Sequence, residues 1–190
     1  MNILLRPTAV NDAAALPAVE HSAGQRFLER PDLAWLADGP GISSAEHRTY
    51  AERGMSWVAL ADGHPVGFVL AQAHPTSLFI VELSVHLAWQ GKGIGRQLIS
   101  CVADRARAMG LVSLTLTTFR DVPWNAPYYA RLGFRTITAL TRELREIREE
   151  EAAHGLAPGS RCAMMLPLDE FAVSPLQHAG CRGKCWPGKA

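Results

Sequence analysis

Residues 80–96 read Ile80-Val81-Glu82-Leu83-Ser84-Val85-His86-Leu87-Ala88-Trp89-Gln90-Gly91-Lys92-Gly93-Ile94-Gly95-Arg96, a strand that passes through a glycine-rich turn into a helix. Because glycine has no Cβ, the three glycines of this turn let the backbone approach a ligand closely. Free N–H groups at the start of a helix favour an anion, phosphate above all, since the helix dipole adds to their partial charge. The stretch therefore predicts a phosphate-binding turn, with a plain strand-to-helix turn as the alternative.

The spacing of the glycines does not match two other phosphate-binding motifs. A dinucleotide-binding fingerprint requires G-x-G-x-x-G, whereas Gly91, Gly93 and Gly95 form G-x-G-x-G. A P-loop requires G-x-x-x-x-G-K-S/T, and Lys92 does not stand at the lysine position of such a motif. The turn must therefore serve another kind of phosphate ligand, if it serves one.

The hydrophobic pattern of the whole chain predicts a mixed α/β fold. A long helix from Gly91 to Gly110 is followed by a strand at 111–118, and this order places the two flanking strands parallel and adjacent. The sequence Asp62-Gly63 predicts a hairpin. The predicted strands lie at residues 2–6, 56–61, 65–71, 77–86, 111–118, 134–139 and 160–168. The other predicted helices lie at residues 12–27, 31–37, 43–53, 125–133 and 140–154, the last with a solvated, salt-bridged Glu/Arg face.

Composition and charge exclude several classes of protein. Of the 190 residues, 48% are hydrophobic and 19% are charged, which is unlike a disordered chain. A net charge of +1 does not predict a nucleic-acid-binding protein, and no apolar run reaches the roughly 20 residues of a membrane-spanning helix. The first residues do not read as a secretory signal and the four cysteines do not form a disulfide framework, so we expect a cytoplasmic protein. Cys181, Cys185 and His178 are too few ligands for a metal knuckle, and we predict no metal.

Three segments of the chain resemble the GNAT superfamily of N-acetyltransferases. Gln90-Gly91-Lys92-Gly93-Ile94-Gly95 fits the family signature Arg/Gln-x-x-Gly-x-Gly/Ala, and Leu83-Ser84-Val85-His86 resembles the family's central strand. Tyr129-Ala130-Arg131-Leu132-Gly133-Phe134 resembles its Tyr-x-x-x-Gly-Phe segment. The resemblance covers residues 2–168. It implies the GNAT fold, a mixed central sheet of six to seven strands flanked by helices, in a domain at 1–169 followed by a loose tail at 170–190. It also implies transfer of an acetyl group from acetyl-CoA to a primary amine.

The same resemblance implies which residues hold acetyl-CoA. The backbone amides of residues 91–96 would bind the pyrophosphate, Gln90 would close the loop, and Lys92 and Arg96 would screen the phosphate charge. The central strand would pair with the pantetheine arm, and Asn125 would contact that arm unless it only caps its helix. The predicted cofactor-binding residues are Leu83, Ser84, Val85, Gln90, Gly91, Lys92, Gly93, Ile94, Gly95, Arg96 and Asn125.

Two residues are predicted to handle protons, because an attacking ammonium must lose one and the CoA thiolate must gain one. Tyr129 stands where the family carries its general acid, and a phenol with a pKa of about 10 is protonated at neutral pH. Strand alternation places Glu82 on one face with Ser84 and His86, and a carboxylate in an apolar strand is uncommon without a partner. We predict that Glu82 is the base, directly or through a water. The alternative is a structural Glu82 paired with an arginine or a backbone amide.

The acceptor is predicted only as a class. Aromatic side chains that precede the central strand in sequence or follow the second core strand suit a small amine with an apolar body, or else belong to the core, as we expect for Trp57. The predicted acceptor-binding residues are Phe27, Trp35, Thr118, Phe119 and Trp124. The alternatives on the same fold are acetylation of protein N-termini or lysines, transfer of a longer acyl chain, and a non-catalytic acyl-CoA sensor. A homodimer is also left open.

Overall fold

The computed structural model describes residues 3–171, and this part of the chain holds seven strands and five α-helices. The strands are β1 (Ile3–Pro7), β2 (Ser56–Ala61), β3 (His64–Ala73), β4 (Ser77–Val85), β5 (Ser113–Phe119), β6 (Arg135–Ile137) and β7 (Arg161–Pro167). The helices are α1 (Leu16–Gly24), α2 (Ser44–Glu52), α3 (Ile94–Ala108), α4 (Ala126–Arg131) and α5 (Arg142–Ala153). Short 3₁₀ helices cover Val10–Asp12, Gln25–Glu29, Ala34–Asp38, Leu87–Trp89 and Pro158–Ser160. None of the helices in residues 3–171 is long and apolar enough to cross a membrane.

The strands form one mixed sheet in the order β1-β2-β3-β4-β5-β7-β6, which confirms the predicted fold class. Strands β4 and β5 pair in parallel, Ser77–Phe79 with Ser113–Thr115, as the strand–helix–strand order predicts. Strand β7 runs antiparallel between β5 and β6. The predicted hairpin joins β2 to β3. Asp62 and Gly63 have φ values of 49° and 83°, the positive values that a two-residue type I′ turn requires.

Two compact units make up the described chain, and each has its own core. The first comprises the residues up to Leu70 together with Glu82–Cys101. Its fully buried side chains include Leu16, Phe68 and Leu98. The second unit comprises Ala71–Val81 and the residues from Val102 onward. Its fully buried side chains include Leu114, Leu144 and Leu166.

Packing continues to the end of the described chain. Phe171 is buried, and the Arg107 guanidinium donates to the carbonyls of Leu168 (2.9 Å) and Phe171 (2.7 Å). The part of the predicted tail that contains His178, Cys181 and Cys185 lies outside the described residues.

Two predicted helices begin later than the sequence suggests. Helix α1 starts at Leu16, with Pro17 in its first turn, because a proline lacks the N–H that a helix interior needs and fits only near a helix start. Asp12 therefore does not cap it and instead pairs with Arg6 (2.6 Å). Helix α3 starts at Ile94 rather than Gly91 because Gly91 and Gly93 have positive φ. The predicted helix at 31–37 is a 3₁₀ helix at Ala34–Asp38.

Helix α5 is solvated along only part of its charged face. Arg142 and Glu146 form an exposed ion pair, as predicted. Glu151 turns inward, its side chain is 13% exposed, and it accepts hydrogen bonds from Thr117 of β5 and Arg161 of β7. The prediction of a solvated face is therefore wrong at Glu151, because the sheet supplies the polar partners that let this carboxylate be buried.

Candidate functional site

The turn between β4 and α3 has the backbone geometry of an anion site. We call residues 90–96 the glycine turn. Gly91 (φ 74°) and Gly93 (φ 79°) occupy the left-handed region, and a Cβ added at either would meet no atom of the described chain within 4 Å. The first helical bond of α3 runs from Gln97 N to Gly93 O (3.2 Å), so the amides of residues 94–96 precede the hydrogen-bond ladder of the helix. Such amides carry the positive end of the helix dipole, which here extends over 15 residues.

The glycine turn contains two cationic side chains. Lys92 and Arg96 are both exposed. The Lys92 ammonium lies 4.5 Å from the centre of the Trp89 ring, a cation–π contact that holds the lysine side chain beside the turn. Positive charge, open amides and positive-φ glycines are thus found together in seven consecutive residues, which favours a phosphate ligand.

Gln90 ties the glycine turn to the end of β4. Its side-chain Nε2 donates to the Val85 carbonyl (3.0 Å), and its Oε1 accepts a hydrogen bond from the Arg26 guanidinium (2.8 Å). Leu87 N donates to the Ser22 hydroxyl (3.2 Å), which adds a second contact from the same segment of chain. These contacts hold the Gln90 side chain in place, and its predicted role of closing the loop stays a prediction. Arg26 and Ser22 were not predicted, and their only sequence signal is a spacing of four residues on one helix face.

Strand β3 approaches the glycine turn at a position where only glycine fits easily. A Cβ on Gly67 would lie 3.2 Å from the Ser84 carbonyl oxygen and 3.2 Å from the Ile94 side chain. The neighbouring residue Val66 accepts a hydrogen bond at its carbonyl from His86 N (2.9 Å). Gly67 therefore sets the close packing of β3 against the end of β4 and the start of α3, a role that the sequence did not reveal.

Glu82 and Ser84 point to the same face of β4, as the alternation predicts. The Ser84 hydroxyl donates to Glu82 Oε1 at 2.8 Å. Ser84 is buried, and Glu82, Leu83 and Val85 are half-buried. The carboxylate thus accepts a hydrogen bond from a hydroxyl of its own strand, in a residue that is half-buried. That environment suits a proton acceptor and equally suits a structural carboxylate, so both interpretations of Glu82 stand.

Tyr129 lies in helix α4 of the second unit. Its carbonyl accepts hydrogen bonds from Leu132 N (2.9 Å) and Phe134 N (3.1 Å), and its ring contacts the Phe134 ring at a centroid distance of 5.4 Å. Gly133 has φ 99°, so the chain can turn sharply after the helix and bring Phe134 back onto Tyr129. The pattern Tyr-x-x-x-Gly-Phe therefore has a local physical reason, which is to fix the orientation of the tyrosine.

Asn125 stands at the N-cap position of α4 but does not cap it through its side chain. Its carbonyl accepts from Tyr129 N (3.0 Å). Within the described residues its side chain makes no capping hydrogen bond, and its backbone (φ −111°, ψ −114°) differs from the extended conformation of a standard cap. Capping therefore does not explain why an asparagine is found here, and the predicted contact with the CoA arm stays a prediction.

The five predicted acceptor residues differ in accessibility and are divided between the two units. In the first unit Phe27 is half-buried and Trp35 is 53% exposed. In the second unit Trp124 is half-buried. Thr118 and Phe119 are buried in β5, and the Arg161 guanidinium covers the Phe119 ring at 4.6 Å. Phe27, Trp35 and Trp124 are therefore the members of this set with surface to offer a ligand. Trp57 is buried, which confirms the prediction that it belongs to the core.

Helices α1 and α2 of the first unit bury an ionisable pair. The His47 side chain is fully buried, lies edge-on to the Phe68 ring at 4.7 Å, and has its Nε2 3.9 Å from Glu20 Oε2. Glu20 also accepts a hydrogen bond from Ile42 N (2.9 Å), whereas neither ring nitrogen of His47 has a hydrogen-bond partner among the described residues. Burial lowers the pKa of His47 and raises the pKa of Glu20. Both shifts favour the neutral forms of the two groups.

Comparison with known proteins finds that a segment containing the glycine turn matches the model of a protein family. Residues 22–134 match the model of the acetyltransferase (GNAT) family. The chain is 28% identical over 147 residues to an L-2,4-diaminobutyric acid acetyltransferase of Nocardia farcinica, an alignment that covers 74% of this chain and 68% of the relative. It is 28% identical over 135 residues to the N-alpha-acetyltransferase RimI of Mycobacterium tuberculosis, covering 68% of this chain and 84% of the relative.

A solved structure shares the fold. The PaiA N-acetyltransferase from Thermoplasma acidophilum, crystallised in complex with coenzyme A, superimposes with a TM-score of 0.66 at 16% identity. The alignment covers 88% of this chain and 99% of that one. At this level of identity the similarity concerns the architecture of the sheet and helices.

Proposed function

The chain belongs to the GNAT family of acetyltransferases, and we propose that it transfers the acetyl group of acetyl-CoA directly to a primary amine of a small molecule within a ternary complex. The enzyme class and the cosubstrate, acetyl-CoA, follow from the family. The identity of the acceptor and the residues that act on it are the proposal. A small molecule is favoured because one relative is named for acetylating diaminobutyrate.

The observation that carries the proposal is the geometry of the glycine turn. Positive φ at Gly91 and Gly93 leaves the amides at the start of α3 open, and the contact from Gln90 to Val85 links these amides to the end of β4. A pyrophosphate bound at the amides of residues 94–96 would place the rest of the cosubstrate along the end of the strand. The positive charges of Lys92 and Arg96 would make binding of the negatively charged pyrophosphate at the turn more favourable.

The proposed chemistry needs no covalent enzyme intermediate. The amine nitrogen attacks the thioester carbonyl carbon, a C–N bond forms, the C–S bond breaks, and the thiolate leaves. Glu82 takes the proton that the amine loses, directly or through a water, and Tyr129 protonates the thiolate. Cys101 and Cys162, the cysteines of the described residues, form no disulfide there and are both buried, and burial raises the pKa of the Cys162 thiol, so neither is suited to act as a nucleophile.

Acetylation of a protein N-terminus is the second candidate. It is supported by the similarity to RimI, which covers 68% of this chain. The two candidates differ in the acceptor, since a peptide amine arrives with an extended backbone whereas a diamine carries a second charge. The experiment is therefore a panel of acceptors: diaminobutyrate, other short diamines, aromatic amines, and peptides with free N-termini. Each is incubated with acetyl-CoA, and release of the free CoA thiol is followed.

We expect thiol release with at least one small amine, and a kcat/KM for every peptide that is lower than the kcat/KM for that amine. Preference for peptides would favour the second candidate. Thiol release from longer acyl-CoA but not from acetyl-CoA would favour the longer-chain alternative. Binding of acetyl-CoA without turnover for any acceptor would contradict the catalytic proposal and favour a sensor.

Substitution of Tyr129 tests the general acid. Tyr129→Phe should lower kcat by about 10²–10⁴, the usual contribution of general acid–base catalysis, while acetyl-CoA still binds. Tyr128→Phe is the matched control, since Tyr128 lies beside Tyr129 with ring centroids 5.3 Å apart and is assigned no part in the proton transfer. Equal activity of the two variants would remove Tyr129 from the mechanism.

Substitution of Glu82 tests the base. Glu82→Gln should abolish the acidic limb of the pH–rate profile, because the amide cannot accept the amine's proton. If the limb is retained in the variant, Glu82 is the structural carboxylate of the alternative interpretation.

A further inference from the structure

One segment of the first unit makes two side-chain contacts with the chain that leads into α3. Ser22 in α1 and Arg26 in the following 3₁₀ helix are four residues apart, so they lie on one face of a continuous helical segment. The Ser22 hydroxyl accepts from Leu87 N (3.2 Å), and Arg26 donates to Gln90 Oε1 (2.8 Å) across 64 residues of sequence. The two contacts bracket the 3₁₀ helix Leu87–Trp89, which connects β4 to the glycine turn.

The contact from Arg26 is part of a chain of hydrogen bonds. The guanidinium donates to the carbonyl oxygen of the Gln90 side chain, and the amide nitrogen of the same side chain donates to the Val85 carbonyl (3.0 Å). A cationic donor on the amide oxygen polarises the amide and strengthens the bond that its nitrogen makes. Arg26 therefore fixes both the rotamer of Gln90 and the span from the end of β4 to Gly91.

We propose that Arg26 is a positioning residue for acetyl-CoA binding, which it serves by holding Gln90 and, through Gln90, the open amides of the glycine turn. The inference rests on the proposed use of this turn for the pyrophosphate. A bound phosphate needs several amides aimed at one place, and the glycines that free the backbone also leave it with more conformations to lose. The hydrogen bond from Arg26 to Gln90 reduces the number of conformations open to the turn before the ligand binds.

A second consequence concerns the segment that carries Arg26. The 3₁₀ helix Gln25–Glu29 also contains Phe27, one of the residues proposed to meet the acceptor. Binding of CoA to the glycine turn should therefore make residues 25–29 more ordered. By thermodynamic reciprocity, an acceptor that orders residues 25–29 should tighten CoA binding.

The test is a calorimetric titration of the full chain with CoA. Arg26→Met, which keeps an unbranched apolar stem but removes the guanidinium and its donors, should raise the Kd for CoA about tenfold, the fold-change expected for loss of a charge-assisted hydrogen bond. Arg26→Lys should recover part of the affinity because it restores a cationic donor without the guanidinium fork. Arg30→Met is the matched control. Arg30 is four residues further along and pairs locally with Asp32, so its loss should change the Kd by less than about twofold.

A double-mutant cycle distinguishes positioning from general loss of structure. Arg26→Met and Gln90→Met act through the same bonds, so the double variant should bind CoA about as weakly as the weaker single variant, whereas independent effects would multiply. Hydrogen exchange of residues 25–29 provides the second readout. It should slow when CoA is added to the wild type and should not respond to CoA in Arg26→Met.

The outcomes separate this inference from the proposed function. A wild type that binds no CoA would contradict the proposed function itself. A wild type that binds CoA, with Arg26→Met within twofold of it or with multiplicative effects in the cycle, would overturn the role of Arg26 and leave the proposed function standing.

Discussion

Removal of the Glu151 carboxylate should destabilise the second unit far more than its place in a charged run suggests. Its Oε1 accepts hydrogen bonds from Thr117 (2.5 Å) and from Arg161, and its Oε2 lies 3.5 Å from the Arg148 guanidinium. The side chains of Glu151, Arg161 and Arg148 are 13%, 13% and 17% exposed, so removal of the carboxylate leaves two largely buried guanidinium groups without this counter-charge. Breaking a buried pair in this way costs about 3–5 kcal/mol.

The assay is urea and thermal unfolding of Glu151→Ala at neutral pH. At about 2–4 °C per kcal/mol for a chain of this length, the melting temperature should fall by about 6–20 °C. Glu146→Ala is the matched control, since Glu146 lies on the same helix and pairs with Arg142, but with side chains 51% and 81% exposed. Its loss should cost less than about 1 kcal/mol. Equal losses in the two variants would refute the reasoning that burial, rather than pairing, decides the contribution.

Two further predictions concern the first unit. The Ser43 hydroxyl accepts from Glu46 N and the Glu46 carboxylate accepts from Ser43 N, so Ser43→Ala should cost about 0.5–2 kcal/mol in urea unfolding, and a loss too small to measure would contradict the capping role. The buried His47 has a pKa below its ordinary value of 6.5, so the unfolded chain takes up this proton more readily than the folded one. The contribution of His47 to stability is therefore full above pH 6.5 and falls as the pH drops through 6.5 towards the lowered folded pKa. His47→Leu should remove that part of the decline from a series of unfolding curves between pH 7.5 and 5.5, and an unchanged decline would assign it to other groups.

Local sequence signals predicted the elements that depend on neighbouring residues. Asp62-Gly63 forms the expected hairpin because the two positive φ values are a property of that pair of residues alone. The capping box at Ser43 and Glu46 likewise needs nothing from the rest of the chain. The glycine turn was recognisable for the same reason, since Gly91 and Gly93 adopt the positive φ that glycine tolerates better than any other residue.

Contacts between distant residues were not predictable from the sequence. Arg26 meets Gln90 across 64 residues, and nothing in the local pattern distinguishes it from Arg30, which pairs at the surface. Glu151 belongs to a run that has the spacing of a solvated helix face, and its burial depends on Arg161 and Thr117 of the sheet. In both cases the residue type shows that the side chain is charged, but only tertiary packing decides whether that charge is solvated by water or paired with another side chain.

The most direct test of the central claim, that the glycine turn binds the phosphates of acetyl-CoA, is the affinity for CoA of Gly93→Ala compared with Gly54→Ala. The two glycines have φ values of 79° and 64°, and an added Cβ at either would meet no atom of residues 3–171 within 4 Å. Each alanine should therefore cost a similar amount of folding free energy, about 1–2 kcal/mol for a left-handed backbone. Only at Gly93 would the new Cβ stand beside the amides that meet the phosphate. We expect the Kd for CoA to be at least about tenfold higher for Gly93→Ala and unchanged for Gly54→Ala. Equal affinities for the two variants would contradict it.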